Sequence, residues 1–396
     1  FMTKSHYVSI FMKFLKMKCY IMAMALFCFT FATGQTIQSP SKEITLTFAI
    51  DGSGRPNYSV AYKGKPVILQ SYMGLEAKHL PALNSGFKAI ETAQSTVDTK
   101  WKPVLGEVAE IRDNHNQLAV ALEQKETGRR MNIVFRVFDE GVGFYYDFPK
   151  QPNLNYFIVS GESTEFNLAG DHKSFWIPGD FDSQEYAYNE TLLSQVDNQK
   201  VDMNNGIGVK SIPGRYAVQS PLMMKSKDGL YINIFEAAVI NYPVMHLQLD
   251  PAKHTLKSLL VPNAMGDMAF LQAPARTPWR TIMVSDDARE IVGQKMILNL
   301  NEPSKIDDTS WIKPMKYIGI WWEMHAGKST WDMSGTQDAA QKTTAMPRPH
   351  GATTVNAKKY IDFAKKHGFD GLLIEGWNVG WEGWCNNWKG EGFDFT

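Results

Sequence analysis

Short segments in which apolar and polar residues alternate recur through 35–303, and this pattern restricts the fold more than any other feature of the chain. In the segment 44–50 every second residue is apolar, and the turn sequence 51–54 then leads into a second alternating segment at 58–62. A period of two is typical of half-buried strands, and a turn between two such strands indicates a hairpin. We therefore predict that 35–303 is a large antiparallel β domain.

The same strand pattern continues along this region. It recurs at 133–137, 142–148, 230–234 and 296–300. Many short strands separated by turns predict a sandwich larger than an immunoglobulin domain, and the lack of a short internal repeat disfavours a propeller. The turn at 51–54 resembles the start of a calcium loop, but the terminal glutamate of such a loop is missing, which favours a simple turn.

The pattern changes after Pro314. The segment 315–322 is predicted to be a buried strand, 354–367 a helix that ends at Gly368, and 370–374 a second strand that is apolar throughout. The apolar side of the predicted helix is formed by Val355, Tyr360, Phe363 and Ala364. Strand, helix and strand in this order indicate a parallel sheet and the start of a (β/α)₈ barrel. A complete barrel needs roughly 250 residues, so we expect only its first strands here.

Glu375 and three tryptophans lie where such a barrel places its ligand-binding residues. Glu375 follows the second predicted strand directly, Trp321 and Trp322 end the first, and Trp377 lies two residues beyond Glu375. Side chains at the carboxyl ends of barrel strands face the active site. The carboxylate is therefore predicted to meet a ligand, and the indole rings are predicted to form the walls of its pocket.

Composition favours an uncharged ligand. Lys plus Arg and Asp plus Glu number 41 each, which leaves no net field to hold nucleic acid or an anionic membrane surface. The chain has 11 Trp and 15 Tyr, and aromatic faces stack well on the C–H faces of sugars. The nine histidines show no zinc-binding spacing, and no glycine-rich phosphate loop precedes a helix.

The first 34 residues have the pattern of a signal peptide. Three lysines at 13, 16 and 18 precede the apolar run 19–31, and Ala32-Thr33-Gly34 provides a peptidase site. The run is too short for a permanent membrane anchor, so we expect a periplasmic or secreted protein. Cleavage after Gly34 would leave Cys385 as the last of the three cysteines, and the fold would hold without an intrachain disulfide.

Seven stretches in register resemble glycoside hydrolase family 97, whose exported α-glucosidases occur in starch-utilising Bacteroidetes. They are FRVFDEGVGFYYDFP (135–149), DHKSFWIPGDFDSQEYAYNETLLS (171–194), KDGLYINIFEA (227–237), RTPWRTIMVSDDAREI (276–291), LNLNEPSKI (298–306), KYIGIWWEM (316–324) and KKYIDFAKKHGFDGLLIEGWNVGWEGW (358–384). The resemblance implies a β-supersandwich at 35–303, a linker at 304–314 and the truncated start of a catalytic (β/α)₈ barrel at 315–396.

The resemblance also assigns site residues and a metal. Glu185, in the sequence Gln184-Glu185-Tyr186, matches a Ca²⁺ ligand that reaches from the supersandwich to the barrel mouth, and Ca²⁺ prefers such oxygen ligands. Glu375 matches a residue that contacts the hydroxyls of the sugar at the −1 subsite. Trp321 matches an aromatic wall of that subsite.

The activity implied is that of an exported, exo-acting, inverting α-glucosidase that uses Ca²⁺ and acts on maltooligosaccharides. Its general acid and base belong to later barrel strands, so we name no catalytic residue here and expect the chain alone to be inactive. Two alternatives stay open. One is a retaining α-galactosidase of the same family, and the other is a non-catalytic carbohydrate-binding β-sandwich. The sequence does not predict an oligomeric state.

Overall fold

The computed structural model describes residues 34–201, 211–329, 351 and 353–375 of the chain. They form two compact units with a boundary after Ser304, the second of which also takes in Val104–Glu107. The predicted signal peptide lies outside the described residues apart from Gly34, and it stays a prediction. No helix in the described part of the chain has both the length and the hydropathy that a bilayer crossing needs.

The first unit is built almost entirely from strands. In chain order they are β1 (Gln35–Gln38), β2 (Ile44–Ile50), β3 (Pro56–Tyr62), β4 (Lys65–Tyr72), β5 (Leu75–Ala77), β6 (Phe87–Trp101), β7 (Ile111–Gln124), β8 (Arg130–Phe138), β9 (Gly141–Phe148), β10 (Tyr156–Glu162), β11 (Glu165–Asn167), β12 (Lys173–Trp176), β13 (Asn189–Leu192), β14 (Ala217–Val218), β15 (Leu222–Lys225), β16 (Tyr231–Ala237), β17 (Met245–Asp250), β18 (Thr255–Leu260), β19 (Ala269–Gln272), β20 (Ala275–Arg276) and β21 (Trp279–Ser285). Short helices are the 3₁₀ turns Leu193–Gln195 and Asn198–Lys200 and the α-helices α1 (Ala288–Gly293) and α2 (Met296–Asn299).

These strands form four sheets, and neighbouring strands within each are antiparallel. The largest has the order β13-β12-β15-β16-β21-β9-β8-β7-β6, with β20 paired to β9. Three smaller sheets have the orders β1-β2-β3-β4, β19-β10-β5 and β11-β18-β17-β14. One apolar core receives side chains from all four, as expected for sheets packed face to face. The prediction of a large antiparallel β domain is confirmed.

The predicted alternation of apolar and polar residues in 44–50 matches the burial of the side chains in β2. Within β2, Ile44, Leu46 and Phe48 are buried and the intervening threonines are not. The turn after it is held by Asp51, whose Oδ1 accepts from the backbone N–H groups of Ser53 and Arg55, each at 2.9 Å. The Asp51 carboxylate is thus used within its own turn, which confirms the predicted turn.

Gly54 closes this turn in a conformation that only glycine takes easily. Its φ is +73°, and a Cβ added there would lie 2.5 Å from the backbone nitrogen of Phe87. The amide of Phe87 donates to the Gly54 carbonyl at 2.9 Å, so the chain passes too close for a side chain. The turn therefore joins the first hairpin to the start of β6.

The prediction of a strand at 296–300 is wrong. Met296–Asn299 is the short helix α2, and it buries Met296 and Leu300 against Trp279 and Met283 in a second, smaller apolar cluster. Residues four apart share one side of a helix, whereas in a strand Leu298 would also share that side. Over so short a run the apolar pattern does not distinguish the two, and Leu298 proves to be 45% exposed.

Among its described residues, the second unit contains two short parallel strands with two helices between them in sequence. They are β22 (Tyr317–Gly319), α3 (Trp321–His325), α4 (Thr354–His367) and β23 (Gly371–Leu373). Thr353 caps the start of α4 by accepting from the backbone N–H of Asn356 at 3.2 Å, and Gly368 ends it with φ of +70°. The predicted strand, helix and parallel strand are present. The (β/α)₈ barrel beyond them stays a prediction.

Two details of this unit differ from the prediction. The first strand ends at Gly319, and Trp321 and Trp322 begin helix α3 instead of ending the strand. On α4, Ala357 and Tyr360 pack with Ile320 and Leu372, whereas Val355 is 66% exposed. Val355 lies five residues before Tyr360, a spacing that places the two on different sides of an α-helix.

Candidate functional site

β22 and β23 run parallel, so their carboxyl ends lie side by side at one end of the two-stranded sheet, which we call the β22/β23 edge. Gly319 is paired with Leu373, and the next amide, of Ile320, donates to the Leu373 carbonyl at 3.3 Å. Trp321 follows the first strand and is 38% exposed, and Trp322 is 75% exposed. Glu375 follows the second strand by two residues and is also exposed.

The structure therefore brings the predicted carboxylate and both tryptophans to one edge of the parallel pair, where ligands of parallel sheets bind. Trp377 lies outside the described residues.

Glu323, in the first turn of α3, is a residue that the sequence did not single out. Its carboxylate accepts from the Nδ2 of Asn356 at 2.9 Å and from the Tyr360 hydroxyl at 2.7 Å, so it ties α4 to the segment after β22. Burial alone would raise the pKa of Glu323, but these hydrogen bonds outweigh it and lower that pKa. Burial and the hydrogen bond to Glu323 together raise the pKa of Tyr360 to about 12. In the sequence, Glu323 is marked only by its position directly after the two tryptophans.

Glu185 lies on the connection 177–188 between β12 and β13, which we call the Glu185 loop. Its side chain is exposed, and its backbone N–H donates to the Ser183 hydroxyl at 3.2 Å. At the base of the loop Asp180 is buried, and its Oδ2 accepts from the Tyr186 hydroxyl at 2.5 Å. Its Oδ1 accepts from the backbone N–H of Asp182 at 2.8 Å.

Asp180 is ionised at neutral pH. Burial alone would raise its pKa, but the Tyr186 hydroxyl and the surrounding backbone N–H groups outweigh burial and lower the pKa below its ordinary value. The donors are the Tyr186 hydroxyl and the backbone N–H groups of Asp182 and Ser211, so the Asp180 carboxylate holds the loop in one conformation. Glu185 and Asp182 are the exposed carboxylates of this loop.

A calcium ion needs about six to eight oxygen ligands. Among the residues that the structure describes, no group of three or more His, Cys, Asp or Glu side chains could hold a metal ion. Glu185 alone can supply one or two of the required oxygens. The described residues thus do not form a calcium site by themselves, although the chemistry of Glu185 fits a share in one.

A second group that the sequence did not reveal is a buried ionic network in the first unit. The Arg280 guanidinium binds Glu162 through two hydrogen bonds of 2.9 and 2.7 Å and Glu236 through one of 2.6 Å. Arg280 and Glu162 have fully buried side chains, and that of Glu236 is 5% exposed. Burial alone would lower the pKa of Arg280, but the two carboxylates raise it instead, and burial raises the pKa of Glu236. Residues so far apart in sequence carry no pattern that predicts this meeting.

A β-sandwich joined to parallel strands that carry a carboxylate and indoles at one edge is consistent with a carbohydrate-active enzyme. The family description "Glycosyl-hydrolase 97 N-terminal" matches residues 37–303, and "Glycoside hydrolase 97" matches residues 321–396. The chain therefore belongs to glycoside hydrolase family 97, and the resemblance seen in the sequence is confirmed.

Similar proteins include curated relatives named as alpha-galactosidases and a family 97 enzyme solved with bound oligosaccharides. A retaining alpha-galactosidase of Bacteroides thetaiotaomicron is 22% identical over 375 residues, which are 87% of this chain and 50% of the relative. A probable retaining alpha-galactosidase of Streptomyces bingchenggensis is 23% identical over 330 residues, 82% of this chain and 43% of the relative.

A family 97 enzyme of Pseudoalteromonas sp. strain K8, solved in complex with panose and also with acarbose, is 36% identical with a TM-score of 0.75. The match covers 88% of this chain and 48% of that one. This chain thus spans about half the length of the relatives it matches.

Proposed function

We propose that this chain belongs to an exo-acting α-glycosidase of the inverting α-glucosidase type, which removes glucose from maltooligosaccharides. The observation that carries this proposal is the 36% identity to an enzyme solved with panose, a trisaccharide of α-linked glucose, against 22% and 23% to the named alpha-galactosidases. Binding of a neutral sugar also agrees with the balanced charge of the chain.

In this proposal the edge formed by β22 and β23 binds the terminal sugar. The Glu375 carboxylate accepts hydrogen bonds from sugar hydroxyls, and Trp321 and Trp322 offer indole faces to the C–H groups of the ring. Trp377 is proposed as a further wall of the pocket. Glu323 holds Asn356 and Tyr360 and so fixes α4 behind this edge.

Hydrolysis with inversion takes a general acid for the leaving oxygen and a general base for a water on the opposite face of the sugar. We assign neither role to a residue of this chain. The 396-residue chain should therefore bind sugar weakly and release no glucose from maltose.

We propose Ca²⁺ as the metal, with Glu185 as one of its ligands. When bound, such an ion would add positive charge that orients carboxylates and sugar hydroxyls. In this proposal the chain contributes the Glu185 carboxylate, which is exposed on a loop whose base is ordered around Asp180.

Export is the remaining part of the proposal. We propose cleavage after Gly34 and a periplasmic or secreted mature protein, because Gly34 directly precedes the first strand of the folded unit. Sequencing the amino terminus of the protein recovered from outside the cytoplasm tests this. A first residue within 1–34 would contradict it.

A retaining α-galactosidase is the second candidate, because one curated relative is named a retaining alpha-galactosidase and another a probable one. The two candidates share the fold and differ in the sugar that the site accepts. Titration of the chain with panose and with melibiose, a disaccharide that ends in α-galactose, separates them. Exposed Trp321 and Trp322 provide the signal through intrinsic fluorescence.

For the α-glucosidase type we expect a saturable fluorescence change with panose and a much smaller one with melibiose. Glu375→Gln should weaken panose binding about tenfold or more, because a charged acceptor is lost. The matched control is Glu126→Gln, a change at an exposed glutamate of the first unit. Tighter binding of melibiose would favour the α-galactosidase. Equal panose binding by wild type and Glu375→Gln would remove Glu375 from the site.

A further inference from the structure

The Glu185 loop is fixed at its base by a contact from a strand that is distant in sequence. His246, the second residue of β17, places its Nε2 2.9 Å from the carbonyl oxygen of Asp180. Its ring is stacked on that of Phe181, with centroids 5.8 Å apart and planes inclined by 8°. A carbonyl oxygen only accepts, so Nε2 carries the proton and donates.

This histidine is buried and neutral. Its exposure is 3%, and burial lowers the pKa of His246 although the Asp180 carbonyl opposes that shift. The donated bond therefore persists at neutral pH. It holds the main chain at Asp180, while the Asp180 carboxylate holds Tyr186 and the amides of Asp182 and Ser211.

The buried ionic network fixes the strand from which His246 projects. The Oε1 of Glu236 accepts from the backbone N–H of Met245, the residue before His246, at 3.0 Å. The other oxygen of Glu236 is bound by Arg280 at 2.6 Å. On its opposite side Arg280 binds Glu162, which also accepts from the Tyr242 hydroxyl at 3.2 Å. Direct contacts thus run without a break from Arg280 through Glu236, Met245 and His246 to the Glu185 loop.

We propose that His246 is a positioning residue that sets the conformation of the Glu185 loop by donating to the Asp180 carbonyl, and that the Glu162–Arg280–Glu236 network holds His246 in place for this. The functional meaning of the inference rests on the proposed role of Glu185 as a metal ligand. The structural part does not, and the experiment measures the two separately.

Hydrogen exchange of the backbone amides of 181–186 in the 396-residue chain measures the order of the loop. His246→Phe keeps a flat ring beside Phe181 and removes the donor. We expect exchange at 181–186 to accelerate about tenfold or more, because the Asp180 carbonyl loses a buried partner. His246→Gln offers an amide N–H at a similar reach and should bring exchange back to within about threefold of wild type. The control is His172→Phe, at another buried histidine of the same unit.

Unchanged exchange at 181–186 in His246→Phe would overturn the proposal, and so would equal acceleration by His172→Phe. If His246→Phe does not fold, His246→Gln and His246→Asn decide, because the shorter asparagine amide cannot reach the carbonyl. Equal exchange in these two variants would overturn it as well.

Calorimetric titration of the full-length enzyme with CaCl₂ forms the second arm. A several-fold loss of Ca²⁺ affinity in both Glu185→Gln and His246→Phe supports the whole proposal. Ca²⁺ affinity that does not depend on Glu185 removes its metal role, and the exchange data then still decide the role of His246. Loss of affinity in Glu185→Gln alone, with normal exchange in His246→Phe, keeps the metal role and overturns the positioning role.

Discussion

Replacing Arg280 by methionine removes the guanidinium that neutralises two buried carboxylates. Glu162 and Glu236 would then lie in the core without the three short hydrogen bonds that Arg280 donates to them. Methionine occupies much of the space of the arginine stem, so the loss is one of charge and hydrogen bonding more than of packing. The first unit should become markedly less stable.

The magnitude follows from the burial of all three groups. Removing one partner of a buried ion pair costs about 3–5 kcal/mol, because the remaining charge is left without compensation. Here one cation serves two carboxylates, so we expect the upper part of that range, about 5 kcal/mol. Because whole domains are stable by only about 5–15 kcal/mol, such a loss brings the unit close to unfolding at room temperature.

The loss should be smaller in acid. Burial raises the pKa of Glu236, and the Arg280 charge opposes that rise, so the variant raises this pKa further. A carboxyl group whose pKa is higher in the folded state than in the unfolded state loses stability as the pH rises through that range and regains it as the pH falls. As the pH falls toward the ordinary pKa of a glutamate, the deficit should therefore shrink by up to about 1.4 kcal/mol per pH unit.

Equilibrium urea unfolding, followed by far-ultraviolet circular dichroism, measures these changes. The matched control is Arg112→Met, because Arg112 grips Asp98 through two hydrogen bonds of 2.7 Å but both side chains are more than half exposed. In the control, water can take the place of the two lost hydrogen bonds to Asp98, so the unfolding midpoint of Arg112→Met should hardly change. A loss below about 1 kcal/mol for Arg280→Met, or one that grows as the pH falls, would refute the reasoning.

Three further predictions concern the turn, the metal ligand and the second unit. Gly54→Ala should destabilise the first unit by about 3 kcal/mol and Gly64→Ala by about 1 kcal/mol, because both have positive φ but only Gly54 lacks room for a Cβ. In the full-length enzyme, Glu185→Gln should raise the Ca²⁺ concentration needed for half-saturation several-fold, measured by calorimetry, while Glu126→Gln leaves it unchanged. Glu323→Gln should speed proteolytic cleavage within helix α4 several-fold, as read by mass spectrometry, because its charged bonds to the helix become neutral.

Each of these has an outcome that contradicts it. Equal losses of stability in the two glycine variants would show that the close approach of the chain at Gly54 is unimportant. A calcium midpoint unchanged by Glu185→Gln would leave the loop as a surface turn. Cleavage of α4 at the wild-type rate in Glu323→Gln would mean that the hydrogen bonds of Glu323 do not hold the helix.

The regular parts of the fold could be predicted because local residue patterns determine them. Alternation in 44–50 and the turn at Asp51 specify the first hairpin, and Gly368 marks the end of helix α4. Prediction was wrong where a short apolar run fits two structures, as at 296–300, where α2 forms in place of a strand. It also misjudged where β22 ends, because two tryptophans are as compatible with the first turn of a helix as with a strand.

The candidate site could be predicted only where a residue follows a recognisable element. Glu375 and Trp321 were singled out because Glu375 directly follows one predicted strand and Trp321 lies at the end of the other. Asp180 and His246 were not, because their meeting depends on how β17 is placed beside the Glu185 loop. Sheet order fixes such long-range pairs, and the sequence contains no local pattern that specifies it.

Stability alone does not account for the buried network. Exchanging a whole buried ion group for apolar residues of similar volume is often neutral or even stabilising. The network differs from an apolar cluster in its directed contacts, since Glu236 binds the amide of Met245 and Glu162 binds the hydroxyl of Tyr242. Apolar side chains would fill the same space without fixing either group. The three charges are therefore best explained as a device that orients β17, and with it His246, toward the loop that presents Glu185.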